Sequence, residues 1–99
     1  MIRRVVLVKF KEGAGPKEKK EYVEAVHGLA AGIPQIKSLS RGFHVSDGDD
    51  ALAYFHASIF DFETRDDLQA FLTHPVHLET RDKVFQRIVG ERVIVNYEI

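Results

Sequence analysis

The chain has 99 residues, 44% of them hydrophobic, and a net charge of −1 with neutral histidines. This length fits one domain over residues 1–99 with a modest core, and the scattered lysines and arginines argue against the concentrated basic face of a nucleic-acid binder. The absence of cysteine excludes disulfides and thiolate metal sites, and no apolar run reaches the roughly 20 residues that cross a bilayer. We therefore expect a cytoplasmic protein that binds neither nucleic acid nor a membrane.

The first half of the chain predicts a strand, a helix and a second strand. Residues 2–10 are rich in β-branched side chains and precede a turn with glycine and proline, which indicates a strand. Between residues 17 and 31, apolar side chains recur every three or four positions with charges opposite them, which predicts a helix. Residues 36–45 are expected to form the second strand, and residues 46–50 a hairpin turn.

The second half predicts a third strand, two helices and a last strand. Residues 52–60 are expected to be the third strand, and the Thr64–Asp67 pair resembles a capping box that opens a helix. The run His74-Pro75-Val76-His77 begins the next helix, because proline is tolerated in a first helical turn. Gly90 is expected to end that helix.

A last strand over residues 92–99 completes the order β-α-β-β-α-α-β. This order is the split βαβ pattern of an α+β, ferredoxin-like fold, here with a four-stranded antiparallel sheet.

The strands predict a second apolar surface besides the one that the helices cover. Strand one carries Val5 and Leu7 on one face, and Val6, Val8 and Phe10 on the other. On strand three, alternation places Ala53, Phe55, Ala57 and Ile59 opposite the face of His56. Because helices cover only one face of such a sheet, the other is expected to be a binding surface. We expect two copies to pack their sheets face to face as a dimeric α/β barrel, with a monomer as the alternative.

Three of the five histidines are candidates for chemistry. His56 lies in the middle of an apolar strand, where it is either a hydrogen-bonded core residue or a base that faces a pocket. His74, just before a helix, is best explained as its cap. His77, one turn into that helix, is the better functional candidate, since the positive helix end favours its neutral form. Zinc usually needs three protein ligands, so no metal site is expected.

Seven segments, in this order and spacing, resemble the Dabb family of stress-responsive dimeric α/β-barrel domains. The segments are Arg4-Val5-Val6-Leu7-Val8-Lys9-Phe10-Lys11, Ile33-Pro34-Gln35-Ile36, Gly42-Phe43-His44-Val45-Ser46, Tyr54-Phe55-His56-Ala57, Phe62-Glu63-Thr64, His74-Pro75-Val76-His77 and Val95-Asn96-Tyr97. Family members often carry Asp where Asn96 stands. The resemblance implies the ferredoxin-like fold, the face-to-face homodimer and the absence of a cofactor.

For the site, the resemblance extends to the plant polyketide cyclases, which close a poly-β-ketone by C2–C7 aldol condensation without a cofactor. It implies His56 and His77 as catalytic residues. A tyrosine and a further histidine complete the cyclase site, and Phe71 and Arg4 stand at those positions here. Phe71 has no hydroxyl to donate, and Arg4 cannot act as a base near neutral pH.

Three hypotheses remain open from the sequence. The first is a stress-associated homodimer whose pocket holds a small molecule, with Arg4, Phe71 and His74 as ligand-binding residues. Arginine there favours an anionic or carbonyl-bearing ligand. The second is a cofactor-free cyclase or related lyase that uses His77 or His56 as its base. The third is a cofactor-independent oxygenase of the related barrel superfamily.

Overall fold

The helices and strands follow one another in the predicted order in the computed structural model, which describes residues 1–99. The elements are β1 (Ile2–Phe10), α1 (Pro16–Gly32), β2 (Ser38–Phe43), β3 (His56–Phe62), α2 (Arg65–Thr73), α3 (Pro75–Thr80), a π-helical turn (Arg81–Phe85), α4 (Gln86–Ile88) and β4 (Val89–Glu98). The strands form one antiparallel sheet in the order β2-β3-β1-β4. This confirms the ferredoxin-like α+β fold. None of the helices is both long and apolar enough to cross a membrane.

Two helices begin at the caps that the sequence predicts. The Thr64 hydroxyl accepts a hydrogen bond from the backbone N–H of Asp67 at 3.1 Å, so it satisfies one of the free donors at the start of α2. His74 Nδ1 accepts from the backbone N–H of Val76 at 3.1 Å, and Pro75 occupies the first position of α3. The prediction that His74 caps this helix is therefore confirmed.

The second strand is shorter than predicted, and the third strand starts and ends later than predicted. β2 covers only Ser38–Phe43, and β3 starts at His56, four residues after the predicted start, and continues to Phe62. Residues 44–55 form the connection between them. Local hydrogen bonds explain why the two strands do not extend into this connection. The Ser46 hydroxyl accepts a hydrogen bond from the backbone N–H of Gly48 and donates one to Asp50. Such bonds compete with strand pairing.

Phe55 does not lie on the sheet face where strand alternation places it. It precedes β3, and its ring centroid is 6.0 Å from that of Phe10, whose side chain is buried on the helix-covered face. The prediction that Phe55 shares a face with Ala57 is therefore wrong, because the period of two holds only within a continuous strand.

The last helical segment ends earlier than predicted, and Gly90 has a different role. α4 ends at Ile88, and Gly90 already belongs to β4. A Cβ at Gly90 would lie 3.2 Å from the carbonyl oxygen of Phe10. The pairing of β1 with β4 is irregular between Lys9 and Phe10. Glycine is thus needed for the close approach of the two backbones rather than as a helix end.

The two faces of the sheet have different surroundings. The helix-covered face packs Ile2, Val8, Phe60 and Phe62 against apolar side chains of the helices to form the core. The opposite face, here called the open face, carries Val5, Leu7, Ala57, Ile59, Val93, Val95 and Tyr97 in register. On it Val93, Val95 and Tyr97 remain 39%, 51% and 42% exposed. No helix covers this apolar surface.

Candidate functional site

A cavity of about 320 Å³ lies between the helix-covered face of the sheet and the helices. Its apolar wall includes Val6, Val26, Leu29, Phe60, Phe71 and Ile94. Its charged groups are all cationic, since Arg4, Arg81 and Arg92 line it and no aspartate or glutamate does. An apolar wall with a few convergent polar groups is the usual composition of a small-molecule site.

Arg4, Phe71 and His77 meet on this cavity. The guanidinium carbon of Arg4 lies 5.6 Å from the centroid of the Phe71 ring, and the His77 ring centroid lies 4.4 Å from it. Arg4 Nη1 donates to Asn96 Oδ1 at 3.1 Å. The Phe71 ring therefore contacts both polar groups. It contributes packing where a tyrosine would contribute a hydroxyl.

His77 presents one free ring nitrogen. Its Nδ1 lies 3.2 Å from the carbonyl oxygen of Leu72, and a carbonyl can only accept, so Nδ1 carries the proton. Nε2 is then the acceptor of the neutral ring. Burial lowers the pKa of His77, the bond to Leu72 raises it, and the charges of the cavity arginines lower it further. The neutral form, which can accept a proton, is therefore favoured.

The cavity arginines are poorly neutralised. Burial, followed by the charge of Arg92, lowers the pKa of Arg4, and the Arg4 partner Asn96 is an uncharged amide. Arg81 Nε donates to Asp82 at 2.9 Å, but both side chains of that pair are exposed. Solvent screens such pairs strongly. The cavity consequently has an excess of positive charge.

His56 and His74 lie outside the lining of this cavity. The His56 ring is 1% exposed, and its nitrogens contact Arg41 and Ser58. Burial, followed by the charges of Arg41 and His27, lowers the pKa of His56 to about 4. His74 uses Nδ1 to cap α3. The structure thus brings three predicted site residues to the cavity, namely Arg4, Phe71 and His77.

Five polar residues of the cavity lining were not singled out from the sequence as site residues, namely Tyr22, Ser58, Arg81, Gln86 and Arg92. Arg92 lies opposite Val8 in the sheet and Ser58 lies opposite Val6, so both share the helix-covered face. Strand alternation could have found them. Tyr22 is one of the side chains that make up the apolar repeat of the first helix, and nothing in the sequence marks its hydroxyl separately. Arg81 lies in the π-helical turn, which periodicity does not reveal; such turns are frequent at functional sites.

No group of three or more histidine, cysteine, aspartate or glutamate side chains is placed to hold a metal ion. His77 therefore has no second ligand from the same cavity, whose other polar groups are arginines, hydroxyls and an amide.

Comparison with known proteins places this chain and its fold in a family. Olivetolic acid cyclase of Cannabis sativa is 24% identical over 96 residues, which cover 97% of this chain and 94% of the cyclase. Hydroxynitrile lyase of Passiflora edulis superposes with a TM-score of 0.89 at 23% identity, covering 99% of this chain and 92% of the lyase. A dimeric ferredoxin-like protein of unknown function from Thermobifida fusca gives a TM-score of 0.83 at 24% identity, covering 99% and 90%. The model of the stress responsive A/B barrel domain, Dabb, matches residues 2–99, so the chain belongs to the Dabb family.

Proposed function

We propose that residues 1–99 form one cytoplasmic Dabb domain that acts as a homodimer, each protomer holding a small organic anion with an apolar body in its cavity. The observation that carries this proposal is the cavity lining, which combines three arginines with an apolar wall and contains no carboxylate. Its volume of about 320 Å³ is at the low end of the roughly 300–1,000 Å³ of small-molecule sites.

Charge balance supports an anionic ligand. Arg4 is 9% exposed, and this burial, followed by the nearby charge of Arg92, lowers its pKa. Like charges held together in a partly desolvated site repel each other, and a carboxylate placed between them would relieve that repulsion. An aspartate in place of Asn96 would supply a negative charge from the protein itself. With Asn96, the charge has to come from a ligand or from solvent ions.

The open face supports the homodimer. It presents a continuous apolar surface across β3, β1 and β4 that no helix covers, and such surfaces mark interaction sites. The Thermobifida fusca relative is described as dimeric. A two-fold packing of open face on open face would cover the same residues in both copies and leave both cavities on the outer, helix-covered sides.

A second candidate function is cofactor-free catalysis with His77 as the base, and the free Nε2 of His77 favours it. This nitrogen belongs to a neutral ring fixed by Leu72 on the cavity lining, which is the arrangement of a general base. Two relatives are named as a cyclase and a hydroxynitrile lyase. The test is cyanide release from an aromatic hydroxynitrile by the wild type and by His77→Gln, with exposed His27→Gln as the control. Release that survives His77→Gln would contradict this role.

Binding of a matched pair of ligands tests the anion site. Isothermal titration calorimetry compares 4′-ethylbiphenyl-4-carboxylate with the uncharged 4′-ethylbiphenyl-4-carboxamide. We expect the carboxylate to bind the wild type at least about tenfold more tightly, since a charge-assisted hydrogen bond contributes about 1.5–3 kcal/mol. Arg4→Met should remove most of this preference while keeping the apolar stem.

Arg65→Met is the matched control, because it removes the same charge from an exposed position at the start of α2. The control should retain the wild-type preference. Equal binding of the carboxylate and the carboxamide to the wild type would contradict the anion site, as would an unchanged preference in Arg4→Met.

A further inference from the structure

The cavity lining has a buried interior and an exposed rim. Arg4 and Phe71, which line the interior, are 9% and 2% exposed. Gln86, Gly90 and Arg92 belong to the same lining but are exposed, so they form the rim. The cavity therefore holds one arginine in its interior and presents another where it opens to solvent.

An apolar position separates these two arginines along the sheet. Arg92 precedes Asn96, the β4 partner of Arg4, by four residues, so alternation places Arg4 and Arg92 on the same face. Between them Val6 pairs with Ile94, and both of these side chains line the cavity. At about 3.3 Å per residue, the backbone positions of the two arginines are roughly 13 Å apart along the strands. The floor of the cavity thus has a cation at each end and an apolar middle.

The guanidinium of Arg92 has no counter-ion in the protein. None of the ion pairs includes it, whereas Arg81 has Asp82 as a partner at 2.9 Å. The neighbouring Glu91 pairs with Lys9 at 3.9 Å, and alternation places that pair on the open face of the sheet. Arg92 is therefore available to a ligand.

A single carboxylate leaves the charge of this lining unbalanced. An anion held at Arg4 compensates that arginine, and Arg92 keeps its own positive charge. A second anionic group at the rim would form an ion pair with little desolvation, because Arg92 is exposed. The planar guanidinium offers paired N–H donors that match the two oxygens of a carboxylate. The arrangement favours a ligand with an acidic group at each end.

We propose that the ligand is an elongated dicarboxylate with an apolar middle. One carboxylate is held at Arg4 in the interior, the apolar middle lies against Val6 and Ile94, and the second carboxylate is held by Arg92 at the rim. Arg92 is then the specificity-determining residue that distinguishes a diacid from a monoacid of the same shape. This inference rests on the anion site proposed above and names the second group that its ligand carries.

A diacid and its monoamide test the second carboxylate in isothermal titration calorimetry. The probes are 4′-(carboxymethyl)biphenyl-4-carboxylate and 4′-(carbamoylmethyl)biphenyl-4-carboxylate, which share the first carboxylate and the biphenyl body and differ in one charge. We expect the wild type to bind the diacid about fivefold more tightly, which is the upper range for one exposed ion pair. This diacid-to-monoamide ratio should decrease as salt is added, because salt screens exposed charges.

Variants of Arg92 show whether its charge is the cause. Arg92→Met should bring the diacid-to-monoamide ratio close to one, and Arg92→Lys, which keeps the charge, should retain most of it. Arg65→Met is the matched control, because it removes the same charge from an exposed position outside the cavity lining. The control should keep the wild-type ratio. A general loss of binding would weaken both probes together and leave the ratio unchanged.

The outcomes distinguish this inference from the anion site. Equal affinity of the wild type for both probes would overturn the inference alone, because both probes carry the first carboxylate. A ratio that survives Arg92→Met, or that falls equally in Arg65→Met, would overturn it as well. If neither probe binds the wild type, the anion site is overturned and the inference with it. If thermal melting shows that Arg92→Met does not fold, the ratio in Arg92→Gln decides in the same way.

Discussion

Replacing Val95 with aspartate should separate the homodimer that we propose on the open face. Val95 lies opposite Val5 in the sheet, and its side chain is 51% exposed in a single protomer. Full burial of a valine contributes about 1.5–3 kcal/mol, so covering the exposed half contributes about 1 kcal/mol per copy. A two-fold interface contains two copies, which brings the lost apolar contribution to about 2 kcal/mol.

The introduced carboxylate adds a larger penalty. A buried polar group without a partner costs about 1–3 kcal/mol in proteins, again twice per dimer. The sum is about 4–8 kcal/mol, and since about 1.4 kcal/mol corresponds to a factor of ten, the dissociation constant of the dimer should rise by at least about 500-fold. The protomer itself should still fold, because Val95 is not part of its buried core.

Size-exclusion chromatography with light scattering measures this effect across a concentration series. The wild type should have twice the 11.3 kDa mass of one chain at micromolar concentration, and Val95→Asp the mass of one chain. Val45→Asp is the matched control, because Val45 is 85% exposed in the β2–β3 connection, outside the open face. A wild-type monomer would refute the dimer, and a Val95→Asp variant as dimeric as Val45→Asp would refute the placement of the interface.

Three further predictions concern the fold. Phe62→Ala should destabilise the protein by about 3–5 kcal/mol in urea unfolding, because Phe62 is 0% exposed. Phe55→Ala should lower the free energy of unfolding clearly less than Phe62→Ala, since Phe55 is 46% exposed. Equal decreases for the two variants would contradict the observed start of β3. Thr64→Ala should cost about 1 kcal/mol by removing the cap of α2, and unchanged urea unfolding would exclude that cap. The free energy of unfolding should decrease as the pH falls from about 6.5 to about 4, because unfolded His56 takes up a proton that the folded ring resists. The free energy of unfolding of His56→Gln should decrease less over this pH range. A pH profile parallel to that of the wild type would show that His56 is not the source of the decrease.

The helices and strands could be predicted from the sequence wherever the apolar periodicity is regular or a helix cap is clear. The apolar repeat of α1, the cap at Thr64 and the proline at Pro75 each act within one element, so their effects can be read locally. The limits of β2 and β3 could not be read in this way. The polar side chains of residues 46–50 bond to one another and to nearby backbone, and the alternation before His56 has no strand to support it.

The site was only partly predictable for a different reason. Arg4, Phe71 and His77 came from positions that the family resemblance marks, and the structure brings them together on the cavity. Tyr22 and Arg81 depend on how the helices pack against the sheet, which local patterns do not specify. His56 shows the converse case, because its position matches the family while Arg41 and Ser58 occupy its nitrogens.

A crystal structure of the protein with 4′-ethylbiphenyl-4-carboxylate tests the central claim most directly. We expect the biphenyl body within the cavity against Leu29, Phe60 and Phe71, and the carboxylate within hydrogen-bonding distance of Arg4. A carboxylate that points away from Arg4, or a ligand bound only outside this cavity, would contradict the claim that this fold holds an organic anion between its sheet and helices.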